Sequence, residues 1–145
     1  MPQAYATIDD MIARYGDAEM RRVCVVDGEV PDEIIPDRIM RALIEVSSVA
    51  DSYLSVKVPV PVQAVPQALT RAVCQLARCD LWTGGDRTPS EDVRAGQTEA
   101  LAWLKAIADG RAVLDDPTTV TTITSGARVT DRPRDLSYET MRSLG

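Results

Sequence analysis

The sequence predicts an all-α protein, a small bundle of four to five helices followed by an extended C-terminal arm. Three observations carry this. The stretch from Asp37 to Lys57 has Ile39, Leu43, Val46, Ala50, Tyr53 and Leu54 recurring every three or four residues, which gathers them into one stripe of a long helix. Two later segments repeat that period between clear start and stop signals. The apolar content is mostly Ala, Val, Leu and Ile, with no Phe at all, a composition suited to close helix packing rather than to aromatic-rich sheets.

Taken in order, Tyr5 to Gly16 reads as a short capped helix. Thr7 is the expected N-cap, Asp10 takes the place of the capping-box partner, and Gly16 suits the left-handed position after the last turn. Ile8, Met11, Ile12 and Tyr15 form its inward face. A second brief helix starts at Asp17 and carries Met20, Val23 and Cys24 inward, before Asp27-Gly28 and Pro31 break the chain. The long helix follows from Asp37, expected as N-cap after Pro36, and has to stop before Pro59 and Pro61. The run VPVPVQAVP, from Val58 to Pro66, then reads as a stiff connector, with a preformed polyproline-like strip for a partner as the functional alternative. Pro66 is expected in the first turn of the next helix, which runs over 67–82 with Leu69, Ala72, Val73, Leu76, Ala77 and Leu81 on adjacent faces. Ser90 is the expected N-cap of a helix over 91–109, with Glu91 and Asp92 at the positive end of its dipole and Ala100, Leu101, Trp103, Leu104, Ile107 and Ala108 as its apolar face. Leu43, Val46, Leu69, Val73, Leu76, Leu104 and Ile107 are expected to share one core.

At 145 residues the chain suits one domain plus a tail. The composition shifts after Gly110, which divides it into a helical domain over 1–110 and an arm over 111–145. Within the arm, Thr118–Ile123 favours an extended backbone through Thr, Val120 and Ile123, yet the helical domain offers no second strand to pair with it. The arm is either disordered in the free chain or ordered by another chain, whose strand edge would be its natural complement. The residues expected to bind that partner are Val120, Ile123, Arg128, Arg132, Arg134, Leu136, Tyr138, Met141 and Arg142.

Several function classes drop out. The chain has no histidine, which removes His-based acid–base chemistry, Ser-His and Cys-His nucleophile pairs and His-containing metal sites. Cys24, Cys74 and Cys79 lack CxxC spacing; on a helix Cys74 and Cys79 stand about 140° apart, so buried thiols are expected rather than a metal site. Gly84-Gly85 follows a helix and lacks the Lys-Ser/Thr of a phosphate loop. Asp9-Asp10, Asp32-Glu33 and Asp115-Asp116 sit at helix starts or turns, where capping and solvation account for them. A formal charge of −6 and a pI of 4.6 argue against a broad nucleic-acid-binding face. No apolar run is long enough to cross a bilayer and no signal-peptide layout opens the chain, so a cytoplasmic protein without enzyme activity, cofactor or metal is expected.

Four marks together resemble the small helical neck proteins of Mu-like phages and prophages, which are similar to the head-to-tail connectors of tailed phages. They are YATIDDMIARYGDAEM at the start; ADSYLSVKV followed by PVPVQAVPQAL; LARCDLW; and SEDVR followed by ALAWLKAIADGRAVL. They cover residues 5 to 114 in order. ARVTDRPRDLSYETMR adds a looser likeness, departing from the pattern at Thr130 and Asp131, where an aromatic residue and Ser or Thr are expected. The resemblance implies a non-catalytic virion protein in the neck, made in the host cytoplasm. It implies a ring of identical subunits, dodecameric by analogy, bound to the portal protein and to a tail-completion or tail-terminator protein. DNA would pass through the channel without sequence-specific binding. The alternative from another class is a small helical regulator that binds a protein partner through its proline strip or its C-terminal tail.

Overall fold

The computed structural model describes residues 3–84 and 87–114. Among these residues the structure is entirely helical, with α1 over Ile8–Tyr15, α2 over Asp17–Arg22, α3 over Pro36–Leu54, α4 over Gln67–Trp82 and α5 over Glu91–Ala108. The proposed arm lies outside the described residues, apart from its first four.

Helix α1 starts as its sequence requires: the Asp10 amide donates to Thr7 Oγ1 (3.1 Å) and the Thr7 amide to Asp10 Oδ2 (2.8 Å). The reciprocal pair satisfies two donors that a helix start otherwise leaves orphaned, here with Asp in place of the usual Glu. Gly16 follows at φ 90° and ends α1 through its amide on Ile12 O (2.8 Å). Met11 is buried, while Ile8, Ile12 and Tyr15 are half-buried against the same core. Met20, Val23 and Cys24 turn inward from α2 and the residues after it.

The break at Asp27-Gly28 is a tight turn. Both residues have positive φ, 52° and 83°, as a two-residue turn between antiparallel segments requires, and Val26 and Glu29 exchange amide–carbonyl bonds of 3.1 and 3.0 Å across it.

Helix α3 differs at both ends from the sequence expectation. Pro36, not Asp37, opens it, and extended Ile35 is the N-cap. The missing proline N–H is one that the first turn leaves unused in any case. Asp37 sits in the first turn and favours the dipole there rather than capping. The helix ends at Leu54 and not Lys57, with Ser55 donating to Asp51 O (2.9 Å) and Val58 to Leu54 O (2.9 Å). Val56 and Lys57 are exposed, so no burial extends the helix, and Pro59 pushes its predecessor out of the α region. A smaller correction applies to α4. Pro66 is its N-cap, with ψ 155°, and serves the first turn through its carbonyl, which accepts from Leu69 and Thr70 (3.0 and 3.2 Å).

Helix α4 packs against both α3 and α5, which also touch each other, and α1 lies against α3 and α4. All seven residues expected to share the core do so, in one cluster that also takes Ile39, Ala50, Leu54 and Ala100. Ser90 caps α5 by accepting from the Val93 amide (3.4 Å). Gly110 ends that helical region at φ 80°, and Arg111 and Ala112 donate back to Ala106 O (2.8 and 3.1 Å). Leu114 is buried in the same cluster.

Candidate assembly surfaces

Two polar knots fix the parts of the fold that carry its surfaces. In the first, Tyr5 ties four segments together. Its amide donates to buried Ser47 Oγ on α3 (3.0 Å), its carbonyl accepts from Thr70 Oγ1 on α4 (3.0 Å), and its hydroxyl accepts from the Val62 amide (2.9 Å) while donating to Asp51. Burial, and then the bond to Asp51, push the Tyr5 hydroxyl from 10.0 up to about 12. The knot settles what becomes of the proline strip. Val62 and Pro66 are buried and the Val62 amide is spent internally, leaving Pro59, Val60 and Pro61 outward.

In the second knot, the Glu19 carboxylate on α2 receives Arg78 Nε (2.6 Å), Arg78 Nη2 (3.2 Å) and Trp82 Nε1 (3.0 Å) from α4. The Arg78 guanidinium also lies 4.4 Å from the centre of the Tyr15 ring. Charge-assisted bidentate bonds of this kind hold geometry as well as contributing energy. Glu19→Ala is expected to lower stability by about 1–3 kcal/mol, because it strands a half-buried guanidinium and an indole N–H. The same change is expected to shift Trp82 fluorescence; an unaltered unfolding midpoint and spectrum would contradict the role. Trp103 is remote from this knot, beside Ala68 and Ala72 at the other end of α4, so the two tryptophans anchor different places rather than packing together.

The two ends of the bundle differ in chemistry. At the α3 N-terminus a cleft of about 530 Å³ lies between α3, α4 and the 27–28 turn, lined by Arg38, Arg41, Arg87, Asp27 and Asp80 among others. Arg38 donates to Val25 O (2.6 Å), and Arg87 stands over the Trp82 ring at 5.9 Å. Burial, and then the neighbouring Glu45 carboxylate, push the Asp80 carboxyl upward. Beside the cleft the loop exposes Asp27, Glu29, Asp32 and Glu33 with Val26 and Val30.

The other end is poor in charge along α3 and the strip that follows it, and carries exposed Lys57 there and Asp109 and Arg111 at the end of α5. Between Val46 and Pro66 the only charged residues are Asp51 and Lys57, and Asp51 is engaged by Tyr5. Val49, Val56 and Val60 are 44 %, 63 % and 36 % exposed, and Val113 is 86 % exposed. The end of α5 meets this surface, since a Cβ on Gly110 would lie 3.6 Å from Lys57 Cε.

The residues that the sequence marks as partner-binding, Val120, Ile123, Arg128, Arg132, Arg134, Leu136, Tyr138, Met141 and Arg142, all lie outside the described residues. Among the described residues no group of three or more His, Cys, Asp or Glu side chains is placed to hold a metal ion, and no helix is long and apolar enough to cross a membrane. Cys24, Cys74 and Cys79 are free and buried, and burial pushes the Cys74 thiol from 9.0 up to about 11.

Comparison with known proteins gives the family. The model of the family described as "Bacteriophage Mu, Gp36" matches residues 5–131. "Gene product J" of Escherichia phage Mu is 30 % identical over 110 residues, covering 74 % of this chain and 73 % of that protein. The chain belongs to the phage Mu Gp36 family.

Proposed function

We propose that this member of the phage Mu Gp36 family is a non-catalytic structural subunit of the virion neck, a head-to-tail connector that assembles as a ring beneath the portal. The observation that carries the reading is the unlike chemistry of the two bundle ends. One is an arginine-bearing cleft beside an acidic loop; the other exposes Val56, Val60 and Val113 with Lys57 among few charges. Two different patches on one subunit suit heterologous contacts, which close into a ring where the rotation between neighbours closes. The resemblance to phage neck proteins supplies the setting: twelve subunits by analogy, the portal protein on one side, and a tail-completion or tail-terminator protein on the other. A net charge of −6 suits a channel through which DNA slides without sticking, because carboxylates repel phosphates. Residues 111–145 act as the arm that reaches a neighbouring subunit or the portal. A regulator that presents the proline strip fits less well, since Val62 and Pro66 face inward.

Deletion of residues 117–145 tests this reading. The truncated chain is expected to keep the unfolding midpoint of the full chain, because the deletion leaves the core cluster of the described residues, Tyr5 to Leu114, whole, and to leave filled heads without attached tails. Infectious particles built with the truncated chain would refute the role of the arm.

A further inference from the structure

On the connector reading just given, we propose that the cleft holding Arg38, Arg41 and Arg87 receives the Glu91–Asp92 turn of a second copy of this chain, and that this pairing joins neighbours in the ring. The cleft carries those three guanidiniums and two carboxylates, Asp27 and Asp80, yet none of its arginines stands in an ion pair among the described residues. Arg38 spends a donor on Val25 O (2.6 Å) and Arg87 one on Arg22 O (3.4 Å). Arg41 is exposed and has no such tie. Glu45, one helical turn further on, is not paired with it and lies beside Asp80 instead. The acids of the cleft therefore leave its arginines free to take a carboxylate from outside, which the planar guanidinium fork fits. Three arginines against two acids leave a net charge of +1, too little for a polyanion such as DNA, which needs clustered cations to displace its counterions. One acidic turn suits it.

The chain supplies that turn where a ring requires it. Glu91 and Asp92 open α5, both are exposed, and neither is ion-paired among the described residues. The nearby cation, Arg94, spends its Nε on Pro89 O (3.2 Å). Cleft and turn lie at the same end of the bundle: the cleft joins the start of α3 to the end of α4, and a separate pocket joins the end of α4, at Trp82, to the start of α5, at Ser90 and Val93. They lie on opposite sides of α4. Asp80 lines the cleft, whereas Arg78, two residues away and so about 200° round the helix, lines the pocket against α5.

A closed ring relates neighbours by rotation, with no step along its axis. For a bundle standing along that axis, the contact pairs unlike patches at one level on opposite flanks, which is how the cleft and the Glu91–Asp92 turn are placed. The loop over 27–33 is more acidic, but its Asp27 and Gly28 line the cleft itself. Loop and cleft share a flank, so they would meet across two copies set face to face, a closed pair rather than a ring.

Charge exchange in assembled particles tests the proposal. Arg41→Glu, Glu91→Arg and Asp92→Arg are made singly, and Arg41→Glu is then combined with each of the other two. All three positions are exposed, so each chain is expected to keep the urea midpoint of the parent; Arg41→Gln and Glu91→Gln replace any reversal that does not. Arg41→Glu and at least one of the acid reversals are expected to cut the yield of infectious particles about tenfold or more, as breaking a charge pair across an interface does. The matching combination is expected to restore it. A parental yield from Arg41→Glu, or a loss that neither combination restores, overturns the pairing while the parent chain's presence in the neck keeps the connector reading. Absence of the parent chain from purified necks overturns both.

Discussion

Leu43→Ala and Leu104→Ala are each expected to lower the unfolding free energy by about 2–5 kcal/mol, the range found when a large buried side chain is cut back and its cavity only partly collapses. Leu43 on α3 and Leu104 on α5 are both fully buried, and both helices pack against α4. The two side chains therefore share one core from different helices. A domain of this size holds only about 5–15 kcal/mol in total, so either change removes a large share of its stability. Urea unfolding is the measurement: the midpoint falls while the slope stays near that of the parent chain. Val56→Ala is the control, and as an exposed site it should stay within about 0.5 kcal/mol of the parent. Unchanged midpoints for both leucine variants would contradict the three-helix core.

Tyr5→Phe is the second large effect. It removes the hydroxyl that accepts from the Val62 amide and donates to Asp51, leaving a buried amide without its acceptor, a loss of about 1–3 kcal/mol. The variant also isolates a pH dependence. The hydroxyl is held protonated in the folded chain up to about 12, against 10.0 ordinarily, so above pH 10 the unfolded chain releases this proton first. The contribution is whole below pH 10 and is lost as pH rises through about 12. The difference in stability between the parent chain and Tyr5→Phe should therefore shrink across that interval. A difference that stays constant from pH 9 to pH 12 would contradict the assigned hydrogen bond.

The periodic parts of this fold are legible in the sequence because burial and period are the same fact there. The stripe from Ile39 to Leu54, the caps at Thr7 and Ser90 and the seven-residue core all follow from local spacing. The start of α3 is less legible because two start signals, Pro36 and Asp37, stand next to each other, and geometry gives the first turn to the proline. Asp27-Gly28 is the dipeptide that favours a two-residue turn, but its flanks pair only once, at Val26 and Glu29, and so read as a simple break. The knots carry no local signature at all. Glu19 meets Arg78 and Trp82 across 59 and 63 positions, and Tyr5 meets Ser47, Val62 and Thr70 across 42, 57 and 65. Glu19 looks in sequence like one more acid on a short helix. The charge-poor run from Val46 to Pro66 is visible in the sequence, but only the fold shows which of its valines point outward.

Reconstruction of the virion neck tests the central claim most directly. The connector account predicts this helical bundle as a closed ring between portal and tail, with residues beyond Leu114 crossing onto an adjacent subunit or the portal. A neck whose rings between portal and tail are all built from other chains would contradict it.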